Sequence, residues 1–273
     1  MIQLFPSIKK RMLLLCGLLL AALGVFTILY SGISPLLLLL IAVIGVLVII
    51  ALQYTSAVAT HNHLLAVLYD QLNPQSFLKL YEPLLRVPVK NPNLSLMVHL
   101  HVSNAYCAMG RFDEAQSLLS SFPIAPGKKP EDELLTRFAI VSNLCYCAEQ
   151  KNDIEAAKQH LTKLRAIKEK LEALQKNKPE KKRMAFSTEL NEQCMKFLTT
   201  GRADIEKLKT LSQNSSQLLH KVTISLWISR AYLAVNNRRE AESLLKRIVN
   251  VAPELYPGKV AAELLSQLPE KNN

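Results

Sequence analysis

The chain divides sharply by polarity. No Asp or Glu occurs before Asp70, and residues 12–30 and 33–52 contain no charged side chain at all. An apolar helix of about 20 residues crosses a hydrocarbon core of about 30 Å, so each run is long enough to be a span. Ser31 and Gly32 stand between them, and Ser34 and Pro35 fall at the start of the second run; Gly32 suits the end of one helix, and Ser34 and Pro35 the opening of the next. The pattern predicts an N-terminal transmembrane hairpin within 1–53, with spans at about 12–30 and 33–52, and a separate domain over 54–273. Lys9, Lys10 and Arg11 flank the first span. By the positive-inside rule, the hairpin places both chain ends in the cytoplasm of a cell membrane.

From Thr55 onward, apolar residues recur every three or four positions, the period of a helix buried on one side. Alternating strand patterns are absent. Helices are predicted at 55–72, 75–87, 93–109, 112–122, 131–150, 153–176, 184–200, 202–213, 215–235, 238–251 and 258–268. The breaks carry Gly, Asn and Pro, among them Gly110, Asn152, Gly201 and Asn236. Short connections imply antiparallel pairs, so the fold class is all-α.

Three stretches are alike. Gly110, Asn152 and Asn236 occupy a turn, an alanine follows five residues later (Ala115, Ala157, Ala241), and a leucine four beyond that (Leu119, Leu161, Leu245). With Ser103, Tyr106 and Phe112 in the first unit, Cys145 and Ile154 in the second, and Ser229, Tyr232 and Pro253 in the third, the arrangement resembles the tetratricopeptide repeat (TPR) family. The family's early Trp is replaced by His99, Val141 or Ser225, and its late small position by Phe122, Leu164 or Ile248. The alanines are 42 and 84 residues apart, against a strict period of about 34; a degenerate unit around Gly201 fills the longer gap. The resemblance runs over about 55–252. It implies a TPR-like α-solenoid closed by a last helix carrying Leu264, Leu265 and Leu268. It also implies a protein-binding groove lined by the first helix of each pair, which places Asn104, Asn143, Tyr146, Glu149 and Arg230 on that face.

Composition narrows the chemistry. The five cysteines form no C-x-x-C pair, and His61/His63 and His99/His101 are two apart, pointing to opposite helix faces rather than converging on a metal. Phosphate-loop, dinucleotide, serine-hydrolase and H-E-x-x-H motifs are absent. No catalytic residue, metal ligand or cofactor is therefore assigned. Lys+Arg is 33 against 22 Asp+Glu, a formal charge of +11. Residues 163–183 alone hold nine Lys/Arg and three Glu. Lys176, Lys178, Lys181, Lys182 and Arg183 are the candidate contacts to anionic lipid. Aromatic residues for base stacking are missing from this run, which argues against nucleic acid. The expectation is a non-catalytic, membrane-anchored scaffold that recruits a protein partner. The alternatives are a lipid-sensing regulatory module, or an accessory subunit of a membrane enzyme or transporter.

Overall fold

The structure, a computed structural model, describes residues 1–30, 32, 34–124, 130–174 and 180–268. These form α-helices, 3-10 turns and connections, with no strand among the described residues. Two apolar helices come first, α1 (Pro6–Leu29) and α2 (Pro35–Tyr69). They are followed by α3 (Pro74–Tyr81), which a 3-10 turn at Glu82–Arg86 prolongs, then α4 (Pro92–Ala108) and α5 (Phe112–Ser120). Next come α6 (Pro130–Gln150), α7 (Ile154–Leu174), α8 (Glu180–Thr200), α9 (Ile205–Asn214), α10 (Leu218–Ala234), α11 (Arg238–Val251) and α12 (Tyr256–Ser266). Helices α1, α2, α3, α4 and α6 all open on proline. Proline costs nothing at that position because the first N–H has no helical acceptor.

Helices α1 and α2 are each long and apolar enough to cross a membrane, and their apolar stretches bury nothing inside the protein. That exposure separates them from the core hairpin of a soluble domain, whose apolar faces would be covered. Gly45 lets them approach closely, since a Cβ there would come within 2.6 Å of the Leu19 side chain. Helix α2 does not stop at residue 53. It continues through the predicted domain boundary to Tyr69 as one 35-residue helix, about 52 Å long. Nothing between Gln53 and Tyr69 breaks a helix, so only the polarity changes there. The other end of the hairpin is also tied down. Leu4 is fully buried, and Phe5 and Ile8 nearly so, in one cluster with Ala57, Leu64 and Leu68 of α2. Each side chain buried this way contributes about 2 kcal/mol.

The rest is five helix pairs: α2/α3, α4/α5, α6/α7, α8/α9 and α10/α11. Every pair turns on one residue in the left-handed region: Leu72, Gly110, Asn152, Gly201 and Asn236. At three of these turns the next N–H reaches back five residues: Arg111 to the Tyr106 carbonyl, Asp153 to Ala148 and Asn237 to Tyr232. These bonds satisfy carbonyls that the helix end leaves open. Gly and Asn were expected at four of the turns; Leu72, at φ 56°, has no such sequence signal and is held by the packing around it. The left-handed residues are 38, 42, 49 and 35 apart, so the pairs repeat in geometry while their lengths drift.

The pairs do not form an open row. In a solenoid each unit touches only its neighbours; here α10 returns to α2, and α12 to α4. Tyr256 at the start of α12 stands edge-on to Phe112 at 4.8 Å and bonds the Gln150 carbonyl at 3.5 Å. The largest cluster accordingly joins the N-terminal strap and α2–α4 to α10–α12. Leu264 and Leu265 pack on it, as expected for a terminal helix.

Candidate functional site

Closure of the fold fills the face that an open repeat would leave as a groove. The first helices α2, α4, α6, α8 and α10 turn their polar side chains toward one another. Two networks result.

The first lies where α2, α3, α4 and α10 meet. The Tyr69 hydroxyl is 2.8 Å from His101 Nδ1, and Asn104 Nδ2 donates to the same hydroxyl at 2.8 Å. The Tyr81 hydroxyl is 3.2 Å from His61 Nδ1. His220 packs edge-on to Tyr69 at 5.6 Å. Burial disfavours charge on all these rings. It lowers His101 to about 3 and His220 to about 4, and it lowers His61 too. For His101 the neighbouring His61, Arg183 and His220 add to the effect. Burial raises the Tyr69 and Tyr81 hydroxyls. The network is therefore neutral throughout; hydrogen bonds join α2, α3 and α4, and the edge-on His220 ring adds α10.

The second lies between α4, α6 and α8. Cys107 and Cys147 sulfurs stand 3.4 Å apart, and Cys145 donates to Glu149 Oε1 at 3.5 Å. The hydrogen bond between Cys107 and Cys147, and then burial, raise Cys107; burial raises Cys145 and Cys194. Thiols held protonated are poor nucleophiles. Glu149 is 2% exposed, its Oε2 has no hydrogen-bond partner, and burial pushes its carboxyl well above the usual range. A raised carboxyl contributes its full stability below the unfolded value of 4.5 and loses it as pH rises. Glu149→Gln is therefore expected to stabilise the protein at pH 7.5 by about 1–3 kcal/mol, with the difference vanishing toward pH 4.5. Paired thermal melts at the two pH values check this.

These positions correct part of the groove expectation. Glu149 is interior, not groove-lining, because α8 packs across it. Tyr146 is half-buried against the cluster that joins α4 to α10, and Asn104 donates to Tyr69. Asn143 and Arg230 stay half-exposed; Asn143 bonds the Ala139 carbonyl, and Arg230 lies over the Trp227 ring at 4.8 Å. Of the basic run, Lys181 is half-exposed, and Lys182 and Arg183 are exposed at the start of α8. Lys176 and Lys178 lie outside the described residues. Among the described residues no group of three or more His, Cys, Asp or Glu side chains is placed to hold a metal ion. Sequence reasoning missed the Tyr–His network; its one local trace is that His61 and His101 sit on the inward faces of their helices. No family model, curated protein or solved structure matches the chain.

Proposed function

We propose that the chain is a membrane-anchored scaffold: α1 and α2 span a cell membrane, and a TPR-like set of helix pairs on the cytoplasmic side recruits a protein partner without catalysis. The observation that carries the reading is the unbroken α2, which is an exposed apolar span at one end and a core helix at the other. A helix shared in this way fixes the domain against the bilayer, as an anchored platform requires and a freely tethered enzyme does not. Lys9, Lys10 and Arg11 support the cytoplasmic side. The five left-handed turns support a repeat architecture. Neutral histidines and protonated thiols support a structural interior. Asn143 and Arg230 are half-exposed and engage groups on their own helices, the Ala139 carbonyl and the Trp227 ring, which makes them the recruiting residues of this reading.

Crosslinking in native membranes followed by mass spectrometry tests this, comparing wild type with Asn143→Ala/Arg230→Ala. A protein captured by wild type and depleted about tenfold in the variant, the effect of losing one buried polar contact set, is the expected result. Capture that is unchanged in the variant and maps to α1 or α2 would favour an accessory subunit of a membrane complex instead.

A further inference from the structure

We propose that the end of the helical domain nearest α1 and α2 is a cationic rim that seats on the phosphates of anionic lipid headgroups. The proposal rests on the reading of α1 and α2 as spans.

Direction follows from connectivity. Helix α2 leads away from the apolar hairpin, α3 leads back, and each later pair repeats the alternation. The five left-handed turns therefore lie at the far end, and the starts of α4, α6 and α8 lie at the hairpin end. Height follows from side-chain contacts between neighbouring helices. Leu19 against Gly45 sets Arg11 level with Gln53 across the α1/α2 pair. His61 and Tyr69 against His101, and Tyr69 against Asn104, set Pro92 at the start of α4 level with about Thr55. Cys107 beside Cys147, and Ser142 bonded to Ser187, carry the level to α6 and α8. Lys181 and Lys182 then stand two turns of helix, about 10 Å, beyond Leu52, where the apolar run ends. That is close to a Debye length at physiological salt, about 8 Å. Arg86 and Lys90, just before α4, stand lower still.

Open cations stand at both ends, but those at the hairpin end lie beside the apolar helices α1 and α2. At the far end Arg111 pairs with Glu114, Lys151 with Asp113, Lys207 with Glu189 and Lys209 with Glu206, while Arg202, Arg238 and Arg239 beside the turns are exposed with no ion pair among the described residues. At the hairpin end Lys9, Lys10, Arg11, Arg86, Lys90, Lys182 and Arg183 are exposed, Lys181 is half-exposed, and none of the eight has an ion pair among the described residues. Arg137 does pair, with Glu133, at the start of α6 where Glu131, Asp132 and Glu133 favour the helix N-terminus. The open cations flank that acidic sector on α1, before α4 and on α8. A single carboxylate cannot serve so many; a plane of phosphates can.

The test uses the full chain in nanodiscs of neutral phosphatidylcholine, with or without phosphatidylglycerol. Amine-reactive labelling of each lysine is read by mass spectrometry. Labelling of Lys90, Lys181 and Lys182 is expected to slow about fivefold in the anionic discs, the weight of one basic group near such a surface. High salt should restore the rate, and Lys207 and Lys209 should label alike in both lipids. Equal rates at the rim in both lipids would overturn the proposal. So would protection that appears, in either lipid, only after cytosolic extract is added, since that assigns the rim to a protein. A chain stripped from membranes by alkaline carbonate would instead overturn the span reading, an outcome visible before any labelling.

Discussion

Between pH 6.5 and pH 5 the folded domain is expected to lose about 3 kcal/mol of stability, as the slope for each of two histidines rises toward about 1.4 kcal/mol per pH unit. His101 and His220 carry most of it. In the unfolded chain they take up protons near 6.5; in the folded chain burial delays this to about 3 and about 4. Across the intervening window the unfolded form binds more protons, so acid favours it. About a unit above 6.5 both forms are neutral and stability no longer depends on these groups. His61, lowered in the same direction, adds to the loss. The charge has nowhere to go: His101 faces Tyr69, Tyr81 and His61, and Arg183 already places a positive field on it. Trp227, the single tryptophan and 1% exposed, reports unfolding by fluorescence in detergent-solubilised protein at each pH. His220→Phe keeps the edge-on packing against Tyr69 and removes the titration, so it should recover about half of the loss. Wild type and variant melting in parallel from pH 7.5 to 5 would show that burial of this ring is not what acid attacks.

Gly258→Ala is the second large effect, a destabilisation of about 3 kcal/mol. A Cβ at Gly258 would fall on the carbonyl oxygen of Ala252 and crowd the Cα of Pro253. These are backbone atoms, which cannot swing aside as a leucine tip can. Relief comes only by moving α12. Two residues earlier, Tyr256 packs against Gly110, where a Cβ would meet its ring at 2.9 Å. It also packs edge-on to Phe112 and bonds Gln150, so α12 is what fastens the last pair to the second and third. A drop in melting temperature of about 10 °C is expected, with hydrogen exchange rising in α12 and in the α4–α5 turn. Gly17→Ala in α1, with nothing within 4 Å of its Cβ position, is the matched control and should melt with wild type. If Gly258→Ala did so too, α12 would not be the clasp described.

Much of the helical layout was legible because its determinants are local. The predicted helix at 238–251 coincides with α11, and those at 93–109 and 131–150 match α4 and α6 to within a residue. Gly110, Asn152 and Asn236 marked turns because few other residues accept the left-handed conformation they take. The continuity of α2 was missed because the change from apolar to mixed sequence at residue 53 reads as a boundary, although nothing there disturbs the backbone. Burial of Leu4 and Phe5 was missed for a similar reason, since beside an apolar span they read as more of it. Closure was the larger omission. It depends on Tyr69 meeting His220 and Tyr256 meeting Gln150, contacts more than a hundred residues apart that leave no periodicity behind. Without closure, Tyr146 and Glu149 read as a groove lining; with it Glu149 becomes interior and Tyr146 half-buried.

The unbroken α2 also gives the molecule a lever. With α1 and α2 as spans, a bilayer would grip its first half, while its last turns, around Tyr69, sit among α4 and α10. From mid-membrane to Tyr69 is about 39 Å along the axis. Thinning or thickening of the surrounding lipid is met by a change of tilt, and a swing of about 10° would carry the Tyr69 end about 7 Å sideways. No flexible joint among the described residues of α2 would absorb the motion. On that reading the domain would ride on the angle of its own span, and bilayer thickness would become a mechanical input to it.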